Sequence, residues 1–279
     1  MSASAETLVT TLLEDLEAGR LELPTLPEVA LRVRDAVEDE SSSARQIAEA
    51  VSSDPALAAR LIQVANSPLY RGRREVDDVQ TAVVRLGRDL VRTLVTSLAM
   101  RQMFQATTEA VDRRLHALWS HSVQVAAISR ALAGQHGLAP DRAMLAGLLH
   151  DVGALPLLVR AEEDESLLAD EAAFDALVRE LHPRLGEAIL RSWRLPDYLV
   201  AVAAGHEDLA RDPGGPPDYV DVVTVANLQS HLGSDHPLAR VDWSRVSALR
   251  RLGLADDVSV VELAAESEEA REVQALLGG

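Results

Sequence analysis

The stretch SDPALAARLIQVANSPLY, residues 53–70, encodes both ends of a helix. Asp54 is a capping residue, and Pro55 takes the first helical position, where the missing N–H costs nothing. Leu57, Leu61, Ile62 and Val64 follow at helical spacing and leave much of the helix apolar. The helix runs to about Asn66, and Ser67-Pro68 stops it.

The same grammar extends outward. Upstream, LELPTLPEVALRVRDAVEDE (21–40) opens a helix at Pro27, with Val29, Val33, Ala36 and Val37 repeating on one face. SARQ (43–46) reads as a capping box that starts a short helix through about Val51. Downstream, the polar residues 71–79 read as a loop. Residues 80–105 then read as one long helix striped by Val83, Val84, Leu86, Leu90, Leu94, Val95 and Leu98. From 111 to 232 at least five further helices are expected, separated by breakers such as Gly137 with Pro140, Pro183, Pro196 and the PGGPP run at 213–217. The expected fold is all-α. Its parts are a helical N-terminal extension (1–17), an N-terminal helical half (18–108) packed on a second half (109–232), and a helical tail (233–279) packed on or continuing the domain.

Composition bounds the function. The 279 residues include no cysteine, which excludes disulfides, thiolate metal sites and a cysteine nucleophile. The start of the chain lacks the form of a signal peptide, and no run approaches the roughly 18 apolar residues of a membrane helix. A cytoplasmic protein without membrane partners is expected. A formal charge of −17 disfavours nucleic acid overall. The helices at 43–51 and 55–66 are spaced like a helix-turn-helix, but a recognition helix presents polar side chains to base edges, and this one is too apolar. The locally basic RGRR segment, with Arg71, Arg73 and Arg74, suits an acidic partner or a phosphate. It equally suits a solvated face paired with the molecule's own acids.

Four histidines share a pattern. His121 lies on a face with Leu118, Val125, Ile128 and Leu132. His150 shares its face with Ala143, Ala146 and Gly147; Asp151 follows it, and Gly153 is placed to end the helix as its C′ residue. His182 precedes Pro183 and starts a helix continuing with Gly186, Ile189 and Trp193. His206 shares a face with Leu199, Val202 and Leu209. A lone histidine on an apolar face is usually a hydrogen-bonded core residue. Four of them beside an Asp are costly to bury unless they satisfy one another, directly or through a metal or anion. His116, His136, His231 and His236 read as surface or capping residues.

These residues resemble the HD superfamily of metal-dependent phosphohydrolases, in which a His, a His-Asp doublet and a later Asp bind a divalent metal. His121, His150 and Asp151 match the first three. His182 and His206 match extra histidines of the cyclic-dinucleotide-cleaving branch. The N-terminal half is more specific: LPTLPEVALRVRDAV and residues 52–87 closely resemble the HDOD domain, an HD-related all-helical signalling module. HPRLGEAILRSWRLP (182–196) also looks like that family. The resemblance implies a regulatory module without demonstrated phosphohydrolase activity, working beside two-component or cyclic-di-GMP signalling proteins.

Two departures matter. Asn227 stands where the family's last metal-binding Asp is expected, and His206-Glu207 replaces a His-His pair. With Asp151 as the one anionic ligand, the sequence fixes no cofactor: the site suits either a single divalent metal held by His121, His150 and Asp151, with His182 or His206, or a vestigial pocket without one. Glu207 is expected to point away from it. No residue is assigned a catalytic role. The expected function is a non-enzymatic signalling module that binds partner proteins, and a ligand through a degenerate HD pocket. The alternative is a metal-dependent phosphohydrolase or phosphodiesterase acting on a nucleotide or cyclic dinucleotide. An apolar tail also suits a homodimer.

Overall fold

The computed structural model describes Glu14, Ala18 and residues 24–103, 108–254 and 259–278. The expected helix at 1–17 lies almost wholly outside the described residues. Among those described, every regular element is helical. In chain order they are α1 (Glu28–Glu38), α2 (Ala44–Ser52), α3 (Pro55–Ala65), α4 (Val79–Met103), α5 (Glu109–Gln135), α6 (Pro140–Leu149) and α7 (Leu155–Glu163). There follow α8 (Glu171–Ser192), α9 (Asp197–Gly205), α10 (Tyr219–Ser230), α11 (Ser247–Arg251), α12 (Ser259–Ala265) and α13 (Glu268–Gly278).

The start signals act as read. At α2 the Gln46 N–H donates to Ser43 Oγ, and the Ser43 N–H donates to Gln46 Oε1 at 2.8 Å. At α3 the N–H groups of Ala56 and Leu57 donate to Asp54 Oδ1 at 2.8 and 3.2 Å, which satisfies two of the open helix donors.

The long helix α4 differs from expectation. Gly87 breaks it with φ 77° and ψ 167°, a left-handed conformation that only glycine adopts at little cost. The stripe read across the break is accordingly discontinuous: Val83, Leu86 and Leu90 are buried, but Val84 is 68% exposed. The break frees Arg88 to donate to the carbonyls of Val37 and Asp39 at 2.9 and 2.8 Å, and to that of Ser42. The first two are acceptors without an intrahelical bond where α1 ends, and Ser42 lies in the turn that leads into α2.

Helix α4 is the spine of the N-terminal half. Helices α1, α2 and α3 pack on it, and it packs in turn on α6. In the second half α5 is central, with α6, α10, α12 and α13 against it. Several polar contacts join the parts, among them Arg142 with Asp89 at 3.0 Å and a node around Arg130. The Tyr70 hydroxyl donates to Asp141 at 3.4 Å, Arg130 pairs with both Asp141 and Glu269, and the Arg130 guanidinium lies 5.4 Å from the Tyr70 ring. The apolar side of the tail is occupied: Ala270, Val273 and Leu277 of α13 are buried against this core.

Residues Pro140–Glu163 are long and apolar enough to cross a membrane by composition, with mean hydropathy 1.4, although no such run was expected. That segment is 78% buried inside the fold and contains His150 and Asp151, so its apolar surface is used by the protein core.

Two further expectations at this core are corrected. Helix α8 runs through Pro183 instead of beginning there, which places His182 in mid-helix. Gly153 does not end α6 as a left-handed cap; it sits in a short 3-10 turn, Val152–Ala154, that lies against α8. Its role is close approach. A Cβ there would stand 1.9 Å from the His182 carbonyl oxygen and 2.4 Å from the Gly186 nitrogen, both main-chain atoms.

Gly153→Ala is therefore expected to destabilise the fold by about 3 kcal/mol or more, since the clash is with backbone that cannot rotate away. Urea unfolding measures this, and a loss below about 0.5 kcal/mol would contradict the packing described.

Candidate metal centre

Four imidazoles arrive at one carboxylate from four helices. His121 projects from the middle of α5, His150 follows the last residue of α6, His182 lies within α8, and His206 caps the end of α9. His150, His182 and His206 are buried; His121 and Asp151 are 17% and 18% exposed. Asp151 Oδ1 is 3.3 Å from His150 Nε2 and 3.2 Å from both His182 Nε2 and His206 Nε2; Oδ2 is 3.5 Å from His121 Nε2. The Nε2 atoms also meet in pairs, His121 with His150 at 3.2 Å and His182 with His206 at 3.1 Å.

The other ring nitrogens decide what these contacts are. Nδ1–H of His150 donates to the Gly147 carbonyl at 2.7 Å, that of His182 to Val178 at 2.9 Å, and that of His206 to Val202 at 3.0 Å. A carbonyl only accepts, so each neutral ring carries its proton on Nδ1 and presents a lone pair at Nε2. His121 Nδ1 lies 3.4 Å from Ser230 Oγ. Two lone pairs 3.1 Å apart repel unless a cation lies between them, so the arrangement calls for a proton or a metal.

The donor set fits a divalent metal. Imidazoles oriented from behind, plus a carboxylate, are the ligands such ions take. The 3.1–3.5 Å separations match the roughly 3.3 Å edge of a tetrahedron with bonds of about 2.05 Å. The ligand atoms form two groups that share Asp151: one with His121 and His150, the other with His182 and His206.

The electrostatics follow from burial against one charge. Burial raises the Asp151 pKa, but the fields and hydrogen bonds of the surrounding imidazoles, His150 and His182 first, outweigh it and hold the carboxyl well below its usual range. Burial pushes His150 well down and His121 down, and the attraction of Asp151 only partly offsets this. At His182 burial also acts downward, but the charge and hydrogen bond of Asp151 prevail and the pKa rises.

A cavity of about 330 Å³ opens onto the centre. Asp151, His121, His182 and Asn227 face it. Asn227 is buried, and its amide oxygen has no hydrogen-bond partner among the described residues. Phe174, Arg114 and Arg179 form another part of the wall.

Three residues expected elsewhere belong to this cavity. Glu207 lines it rather than pointing away. His231 and His236, read as surface or capping residues, also line it: His231 stacks on His121 with ring centroids 4.6 Å apart, and His236 stacks on His231 at 3.8 Å. A signal for His231 was present, because it follows Asn227 by four residues on the same face of α10. His236 lies in the segment beyond that helix, where periodicity says nothing. His116 is exposed, with Nδ1 2.9 Å from the Asp112 carbonyl, and His136 caps α5. Arg71, Arg73 and Arg74 are exposed on the loop after α3 and take no part in the cavity wall.

The pKa shifts predict a pH dependence for metal-free protein. His150, His121 and His231 are held neutral, His231 pushed down to about 3 by burial and by its neighbours His121 and His236. The unfolded chain binds protons at these residues below their ordinary 6.5, so their contribution to stability is lost as pH falls through that value. His182 acts oppositely: its contribution is full below 6.5 and is lost as pH rises through its higher folded pKa. His136 and His236 are lowered by burial as well, so five groups oppose one among the described histidines. The urea midpoint of chelator-treated protein should fall between about pH 7 and about pH 5, and His231→Gln should flatten that slope. A midpoint that rises toward the acid side would contradict the description.

Comparison with known proteins gives the following. The HDOD domain family matches residues 23–209. A crystal structure of a Shewanella amazonensis SB2B protein, named for a metal-dependent phosphohydrolase, is 31% identical, with a TM-score of 0.82 over 98% of this chain and 99% of that one. An HDOD domain protein of unknown function from Geobacter sulfurreducens is 26% identical, with a TM-score of 0.68 over 97% and 98% of the two chains. An uncharacterised protein of Treponema pallidum (strain Nichols) is 24% identical over 257 residues, 86% of this chain. This chain spans about half, 49%, of that curated relative's length.

Proposed function

The chain belongs to the HDOD domain family, and on that premise we propose that it is a signal-transduction module whose pocket binds a metal and a small ligand without turnover. The observation that carries this reading is the charge of the centre. Among the described residues Asp151 is the one carboxylate that groups with the four imidazoles as a ligand; Glu207 lines the same cavity, and the facing wall offers the neutral amide of Asn227. Two divalent ions would bring four positive charges against two negative ones, Asp151 at the centre and Glu207 in the cavity wall. Hydrolysis by paired metals relies on anionic bridges to hold them close. A single ion is the better match, with His121, His150 and Asp151 as ligands and His182 or His206 completing the set. When bound, such an ion supplies Lewis-acid charge to an anionic ligand.

The remaining residues position and exclude. The carbonyls of Gly147, Val178 and Val202 fix the ring orientations, and Asn227 and His231 close one side of the cavity. Partner binding falls to the N-terminal half, with signalling proteins of two-component or cyclic-di-GMP type as the proposed class and the cytoplasm as the proposed setting. Nucleic acid is disfavoured as a partner, because the exposed side of α3 offers Ala56, Ala59 and Gln63, and the helix's cation, Arg60, is engaged by Gln63 and by the Leu276 carbonyl.

A second reading, metal-dependent hydrolysis of a nucleotide or cyclic dinucleotide, draws on one observation: the cavity opens directly onto Asp151 and His182 with two arginines in its wall.

Elemental analysis of protein purified without added metal separates these readings. A divalent ion is expected in the native chain and its loss in His150→Ala and Asp151→Ala, with no hydrolysis of phosphodiesters when metal is supplied. Metal-dependent hydrolysis abolished by Asp151→Ala would make the protein an enzyme. Absence of metal from the native chain would reduce the pocket to a polar network.

A further inference from the structure

Two side chains of the cavity have no part in the ligand-bearing centre. Arg179 lies three residues before His182 on α8 and lines the cavity, with no ion pair or hydrogen bond among the described residues. The other arginine in the wall is already engaged: Arg114 pairs with Asp175 at 2.6 Å and with Glu171 at 3.5 Å, and lies 5.4 Å from the Phe174 ring.

His236 has the opposite polarity to the histidines of the centre. Its Nδ1 accepts the Leu238 N–H at 3.3 Å. A neutral ring that accepts at Nδ1 must carry its proton on Nε2, so His236 is a donor there, whereas His150, His182 and His206 offer lone pairs. Burial favours its neutral form. Its plane is set by the stack on His231, 14° from parallel, which continues to His121. Arg179 is near enough for its charge to act on His236.

Together these side chains offer hydrogen-bond donors and no acceptor to the same space. We propose that Arg179 and His236 form an oxyanion subsite at the edge of the cavity, which takes phosphate, free or as the end of a phosphate ester. A guanidinium with fork-like donors suits a tetrahedral anion, and an imidazole N–H adds a directed bond. Glu207 faces the same cavity and opposes an anion there, so the subsite draws on the positive charge of a metal at the neighbouring centre. The inference deepens the proposed function and rests on its claim that the pocket binds a ligand.

Calorimetric titration of the full chain tests it, with inorganic phosphate and glycerol 3-phosphate as probes and metal content measured on the same samples. Phosphate or its ester is expected to bind the metal-containing protein. Arg179→Gln should weaken binding about 10-fold or more, in line with loss of a charge-assisted hydrogen bond. His236→Phe keeps an aromatic ring for the stack but removes the donor, and should cost about 3- to 10-fold. Metal content should be unchanged in both variants. The tighter probe identifies the source of the phosphate. Equal affinity in native protein and Arg179→Gln, or no binding of either probe at millimolar concentration, overturns the subsite. If the native chain proves to lack metal, the metal reading fails on its own; phosphate binding that still depends on Arg179 would then leave the subsite standing.

Discussion

A carboxylate buried among imidazoles sets the terms for the second half of this protein. Asp151 carries a charge that burial alone would suppress, and it keeps that charge through positive charge among the four Nε2 atoms within 3.5 Å, a proton on His182 or a metal. Removing a partner from such a group leaves an uncompensated charge in a low-dielectric interior. Helices α5, α6, α8 and α9 must therefore bring their histidines to one point, and the packing around them is organised to do so. The 3-10 turn after Asp151 lies against α8 so closely that position 153 has no room for a side chain.

Much of this was legible in the sequence. Caps at Ser43 and Asp54, Pro55 at a first helical position and the apolar faces around His121 and His206 all depend on local rules, and local rules survive folding. The HD doublet and the motif at 53–70 carried the family. What was not legible lay where helical periodicity stops. His236 belongs to a segment between elements, and Glu207 lies beyond the cap of α9 at His206, so helical periodicity, which pointed Glu207 away, does not hold for either. Gly87 was hidden for another reason: apolar residues continue at plausible spacing on both sides of it, and only the partners of Arg88 explain why the chain turns there.

Gly153 shows how a plausible local rule can name the right residue for the wrong reason. A glycine after a helix end suggests a left-handed cap, yet here it provides contact between two backbones. That contact ties the His150-Asp151 doublet to the main chain of His182, so two ligand-bearing segments behave as one body. The Tyr70, Asp141, Arg130 and Glu269 node is one of the contacts that join the N-terminal half to this body, beside Arg142 with Asp89 and Trp193 with Pro24, and it also reaches the last helix.

The hydrogen bonds behind the imidazoles have a consequence for how such a pocket ages. His150, His182 and His206 are aimed by main-chain carbonyls, groups that no substitution at Gly147, Val178 or Val202 can delete. His121 alone has a side chain, Ser230, at its Nδ1. Mutational drift can therefore erode the α5 wall of the pocket by changing a single hydroxyl, while the other three rings keep their aim. A lineage losing this site would be expected to lose it first at His121 and Ser230.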